Sequence, residues 1–201
     1  RDLIAKQVVY VSVTGAGSKD GSSWANALDG QTATANGNTK LADALQAATA
    51  GTEFWIQSGT YYACSDSDIN KSLILNEGVA LYGGFIGTET EIDLRDTNTA
   101  PTVFSGNLQN DTLVENYSRN IFKTNDQNKS DNVIVLDNIS ITEGYNYFHD
   151  GCALHIGESS VVKATRCHIY HNFGSAIANE GHFVGNYCTL DSNISYSDYW
   201  V

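Results

Sequence analysis

A near-repeat in the last third of the chain constrains the fold more than any other feature. Arg166-Cys167-His168-Ile169-Tyr170-His171-Asn172 is followed, 21 positions on, by Tyr187-Cys188-Thr189-Leu190-Asp191-Ser192-Asn193. The Cys, the aliphatic residue and the Asn recur together. Period-two alternation puts Cys167 and Ile169 on one side of a strand, and Cys188 and Leu190 on the same side of another. An earlier copy, Asn138-Ile139-Ser140-Ile141-Thr142-Glu143-Gly144, offers Ile139 and Ile141 to the same inward slots. A unit of about twenty residues built from short strands, Gly and Asn predicts a solenoid in which each repeat stacks on the one before.

The rest of the chain fits such a stack. Apolar runs are short and bounded by turn residues: Leu73-Ile74-Leu75, Val79-Ala80-Leu81-Tyr82, Thr102-Val103-Phe104 and Val133-Ile134-Val135-Leu136. The 201 residues include 18 Gly and one Pro, a mixture that suits many strands joined by tight turns. Gly151-Cys152-Ala153-Leu154 and Gly174-Ser175-Ala176-Ile177 open two further matching segments. Residues 6–13 read as a strand with Val9, Val11 and Val13 on one face. Trp24, after a Gly-rich turn, is expected to plug one end of the core. Residues 39–50 read as the one helix, with Thr39 as N-cap, an apolar stripe at Leu41, Ala44, Leu45 and Ala48, and Gly51 as its stop. Residues 53–57 read as a strand and 58–61 as a turn. Residues 107–131, polar and rich in Asn and Asp, read as a protruding loop. No linker breaks the pattern, so one domain is expected. Residues 1–60 form an N-terminal cap and first strands, and residues 61–201 form coils, five or six in all.

The net charge is −12 with 11 basic residues. Such a surface repels nucleic acid and anionic lipid, so no nucleic-acid partner is expected. No stretch reaches the roughly 20 apolar residues of a membrane span. The chain contains no Met, so residue 1 is read as the start of a processed or excised piece, and the chain as the N-terminal portion of a longer protein. A stack of strands that stops abruptly exposes its edge. A protein partner, or further coils, is therefore expected at that end.

The order of several short motifs resembles a known family. Tyr10-Val11-Ser12-Val13-Thr14-Gly15, Gly21-Ser22-Ser23-Trp24-Ala25-Asn26-Ala27, Ile56-Gln57-Ser58-Gly59-Thr60-Tyr61 and Leu81-Tyr82-Gly83-Gly84-Phe85-Ile86-Gly87 resemble the opening of secreted right-handed parallel β-helix proteins. These are pectin-lyase-like in fold and common in Bacteroidetes and related bacteria. Gly151-Cys152-Ala153-Leu154 and 167–172 resemble degenerate repeats of polymorphic outer-membrane proteins. The resemblance implies an all-β fold, a right-handed parallel β-helix (solenoid) with an N-terminal α-helical cap. It also implies a secreted, cell-surface or outer-membrane-associated protein. It implies no activity, because the same fold carries lyases, hydrolases, adhesins and spacers.

Function must then come from a site. The catalytic candidates are His168, Arg166 and Asp191, in a cluster with His149, Asp150, His155 and His171. The alternation turns His168 and Tyr170 outward and lets Asp191 stack on Tyr170, an arrangement open to acid–base chemistry, to a metal site or to a plain solvated face. Asp66 and Asp68, two alternating carboxylates, are the candidate calcium ligands, and calcium is the only cofactor considered. Asp126, Asp131 and Asp137 are further acids. Cys167 and Cys188 are read either as an inward thiol ladder or as a disulfide, and Cys64 and Cys152 are left unassigned. Outward Tyr145, Tyr147, Phe148 and Tyr170 could stack on sugar rings or pack beneath a loop. The leading expectation is a non-catalytic scaffold or adhesin-like protein, accessory to an envelope assembly. The alternative is a carbohydrate-active protein, either a polysaccharide lyase or hydrolase or a glycan-binding module.

Overall fold

The computed structural model describes residues 6–98, 100–125, 132–146 and 153–194. The strands, in chain order, are β1 (Gln7–Ser12), β2 (Leu28–Asp29), β3 (Thr52–Gln57), β4 (Gly59–Tyr61), β5 (Leu73–Leu75), β6 (Ala80–Phe85), β7 (Thr102–Ser105) and β8 (Phe122–Thr124). They continue as β9 (Ile134–Asp137), β10 (Ser140–Thr142), β11 (Leu154–Ile156), β12 (Val161–Thr165), β13 (His168–Tyr170), β14 (Ile177–Asn179), β15 (His182–Asn186) and β16 (Thr189–Asp191). Among the described residues one α-helix, α1 (Lys40–Ala47), stands between β2 and β3.

Among the described residues all strand pairings are parallel, and they make three sheets. The orders are β15-β12-β9-β6-β3-β1-β2, β16-β13-β10-β7-β4 and β14-β11-β8-β5. Parallel neighbours need a long crossover, commonly a helix. From β3 onward the chain instead reaches each parallel neighbour by passing through the other two sheets in turn. The repeat read from sequence is this pairing: Ile141 aligns with Ile169 and Ile169 with Leu190, Leu154 with Ile177, and Val162 with Phe183.

The expected all-β right-handed parallel β-helix with an N-terminal helical cap is corrected here. The strands fall into three separate parallel sheets of seven, five and four strands, not one evenly closed wall. β1 and β2 both belong to the seven-stranded sheet and have no counterparts in the other two. The Gly-rich segment between them turns back on itself, with Gly15, Gly17 and Gly21 at positive φ, and so returns the chain to the same sheet. Helix α1 packs on β5, at the edge of the four-stranded sheet, in place of a further strand.

The core lies between the sheets. It joins Val11, Leu41, Leu45, Phe54, Ile56 and Tyr61 to Leu81, Phe104, Phe122, Leu136, Ile141, Leu154, Val162 and Ile169, all buried. Thr39 caps α1, its hydroxyl accepting from the Ala42 amide at 3.3 Å. The helix ends earlier than the sequence suggests. The Asn76 side-chain amide donates to the carbonyls of Leu45, Gln46 and Ala48 and so takes the terminal acceptors.

Three other expectations change. Residues 59–61 are strand β4, not a turn. The segment expected to be a loop contains β8, with Ile121 and Phe122 in the core. Trp24 does not plug the core but lies in a second aromatic layer outside the seven-stranded sheet. There it meets Tyr10 and Phe85, and Trp55 stacks on Phe85 at 5.0 Å.

The corners between the seven- and five-stranded sheets share one conformation. Asn138, Arg166 and Tyr187 occupy equivalent positions with φ of 55°, 51° and 55°. At the far ends of β10, β13 and β16, Glu143, His171 and Ser192 also have positive φ. Next to them Asn172 is fully buried. It accepts from the Gly144 amide and donates to the Ile141 and Tyr170 carbonyls and to Asn193 Oδ1. This is the Asn ladder that the repeat implies.

Candidate functional site

The outward face of the five-stranded sheet gathers most of the chemistry-bearing side chains. Its register places Thr60, Val103, Ser140, His168 and Thr189 in one row. Ser105, Thr142, Tyr170 and Asp191 form the next row. The intervening Tyr61, Phe104, Ile141, Ile169 and Leu190 point inward, as strand alternation requires.

His168 and Asp191 do come together, with Nε2 2.8 Å from Oδ2 across β13 and β16. Both are close to half exposed. The imidazole beside it draws the Asp191 carboxyl below the usual carboxylate range. The Tyr170 ring stacks on His168, centroids 4.3 Å apart, with His171 at the other edge of Tyr170. Such a pair can hold and move a proton, but water screens it on an exposed face.

Arg166 is drawn elsewhere. Its Nη2 lies 2.6 and 2.8 Å from the two carboxylate oxygens of Asp137. Arg95 Nη2 reaches the same carboxylate at 3.3 Å. Arg95 is nearly buried: Nε donates to the Ile92 carbonyl, Nη1 to the Gly83 carbonyl, and the guanidinium lies 5.2 Å from the Tyr82 ring centre. Sequence reasoning missed Arg95 as a site residue. Only the contact with Asp137 in β9 identifies it, because Arg95 and Asp137 lie 42 positions apart.

Two grooves flank the His168–Tyr170 stack. One, of about 460 Å³, is lined by Asn98, Pro101, Asn138, Ser140, Arg166 and His168. The other, also about 460 Å³, is lined by Tyr62, Asn107, Asn110, Glu143, Tyr170 and His171. In the second, the Ser105 hydroxyl donates to Glu143 at 2.6 Å.

The other candidates lie apart. His155 is in β11 of the four-stranded sheet. At Asp66, the Lys71 ammonium pairs with the carboxylate. Asp68 accepts from the backbone and side-chain amides of Asn70. Among the described residues, no group of three or more His, Cys, Asp or Glu is placed to hold a metal ion. Asp126, Asp131, Tyr147, Phe148, His149, Asp150 and Cys152 lie outside the described residues. Tyr145 bridges to Phe173.

Cys64, Cys167 and Cys188 are free thiols. Cys167 Sγ lies 3.5 Å from the Leu136 and Thr165 carbonyls, and Cys188 Sγ lies 3.5 Å from the Asn186 carbonyl. The neighbouring Cys167 thiol draws Cys188 down to about 6 against the opposing effect of burial. Cys188 and burial push Cys167 well above the thiol range. Burial pushes Cys64 up to about 11.

No protein-family model matches this chain, and the searches of curated proteins and of solved structures return no match either. No described helix is long and apolar enough to cross a membrane.

Proposed function

We propose that this chain is a non-catalytic, secreted or surface-held scaffold of adhesin-like or accessory type, which works by attaching through the open end of its strand stack. The observation that carries this reading is the exposure of that end. Leu190 occupies the inward row of the five-stranded sheet, where Phe104, Ile141 and Ile169 are at most 1% exposed, yet it is 50% exposed. Phe183 and Ile177, in the inward rows of the other two sheets, are only partly buried, and Ile194 is half exposed nearby. Among the described residues, β14, β15 and β16 each pair with one strand only. An apolar cross-section framed by three unpaired edges favours coverage, by further strands of the same protein or by a partner's surface. Pairing the edges and burying the side chains would together stabilise attachment.

The test is retention of the protein on the envelope fraction of the cells that make it. Leu190→Asp is expected to release the protein, whereas the pair His168→Ala and Asp191→Ala is expected to leave it attached. Release by the second change, with the fold preserved, would overturn the reading that the open end makes the attachment. A second reading, a glycan-binding module, is favoured by one observation. Tyr62 and Tyr170 line the Glu143 groove beside Asn107 and Asn110, a mixture of rings and amides suited to sugar hydroxyls.

A further inference from the structure

We propose that the groove lined by Arg166 and His168 is a binding site for a ligand that carries a single carboxylate and is about the size of one sugar or a dipeptide. The inference stands apart from both readings above, because it rests on local charge. The protein carries a net charge of −12, yet the described lining of this groove contains no aspartate or glutamate. It offers the side-chain amides of Asn98 and Asn138, the hydroxyl of Ser140, His168 and the Arg166 guanidinium. Its volume of about 460 Å³ lies within the range of small-molecule sites.

The charge count explains why an anion fits. Asp137 is shared by two guanidinium groups, Arg95 and Arg166, which leaves one positive charge in excess. Arg95 is nearly buried and its other nitrogens are held by carbonyls. The excess is therefore expressed at Arg166, whose side chain is 41% exposed. Arg166 meets Asp137 through Nη2. Among the described residues, its Nη1 and Nε have no hydrogen-bond partner and can donate to a planar carboxylate. One excess charge matches a monoanion better than a phosphate dianion. Two further carboxylates touch the lining from outside, Asp191 on His168 and Asp96 on the Asn98 backbone amide, and each is engaged there; carboxylates beyond about 8 Å are screened at physiological ionic strength.

The test is an amide NMR titration of the whole chain with three probes: sodium glucuronate, N-acetyl-alanyl-alanine and glucose. At least one carboxylate is expected to give saturable shifts at Asn138, Ser140 and His168, while glucose gives none. Glucuronate alone would assign a sugar acid, the peptide alone a peptide carboxylate, and both a general carboxylate subsite. Arg166→Gln is expected to weaken binding about tenfold or more. Should that variant lose its fold, Ser140→Phe fills the groove while leaving the ion pairs intact, and is expected to abolish the shifts. The proposal is overturned if glucose binds as well as the carboxylates. Equal affinity in a folded Arg166→Gln variant, or no saturable shift with either carboxylate at roughly tens of millimolar, would also overturn it.

Discussion

Replacing Asp137 by Asn tests the account of the two arginines most sharply. The carboxylate neutralises Arg95, whose side chain is 7% exposed, and Arg166, whose side chain is 41% exposed. Removing the charge leaves a guanidinium buried without a counter-ion, which costs about 3–5 kcal/mol in comparable settings. Arg95 keeps two carbonyl acceptors and its place over Tyr82, and Asn can still accept a hydrogen bond. The expected loss therefore sits at the low end, about 3 kcal/mol. Arg166, by contrast, can return to water, so Arg166→Gln should cost only about 0.5–1 kcal/mol. In a chain of this size, about 3 kcal/mol corresponds to a Tm lower by roughly 6–12 °C. Urea unfolding at pH 7, followed by far-ultraviolet circular dichroism, measures both variants, with the slope checked for constancy. Equal losses, or a loss below about 1 kcal/mol for Asp137→Asn, would refute the buried-charge argument.

Three other outcomes follow from the same geometry. Tyr187 is 91% exposed and held at φ 55°, so Tyr187→Gly should raise stability by about 0.5–1 kcal/mol in the same unfolding assay. Burial raises the Asp29 carboxyl, but Lys19, the Thr32 hydroxyl and the amides of Thr32 and Gln31 together outweigh it and hold the carboxyl below its ordinary value. Its contribution is thus present above about pH 4 and lost as pH falls through the folded value; Asp29→Asn should cost about 1–3 kcal/mol at pH 7 and flatten the acid limb of the stability profile. Cys188, held near 6, should be alkylated by iodoacetamide at pH 7 well before Cys64 or Cys167, as read by mass spectrometry of timed digests.

The sequence made the strand register legible wherever side-chain alternation was regular. Ile141, Ile169 and Leu190 align as the repeat implied, and the neighbouring Asn172 and Asn193 form their ladder. It failed where tertiary contact overrides local character. Phe122 sits in a polar stretch, and only its pairing with Leu73 and Leu154 makes it a core strand residue. Gly59 and Thr60 read as a turn because their partners, Thr102 and Val103, lie more than forty positions away. The division into three unequal sheets was hidden for a similar reason. Nothing in residues 14–27 says that the chain returns to the sheet it has just left. At the site, the Tyr170–Asp191 alignment was legible from repeat spacing, because residues on neighbouring parallel strands share a period; the contact of Asp191 with His168 runs diagonally to that alignment. Arg166 was expected beside that pair. The Asp137 carboxylate draws it away, and the third member, Arg95, comes from an irregular segment without periodicity.

The central claim is that the open end of the stack, and not the His168 face, makes the attachment. Amide hydrogen exchange, compared between the free protein and the protein bound to envelopes, tests this directly. Strands with one neighbour leave donors open to water, so β14, β15 and β16 should exchange fast when free. The account predicts that attachment slows exchange in 177–179, 182–186 and 189–191 and leaves β7 and β10 unchanged. Protection confined to 102–105 and 140–142, with the end strands still exchanging freely, would contradict it.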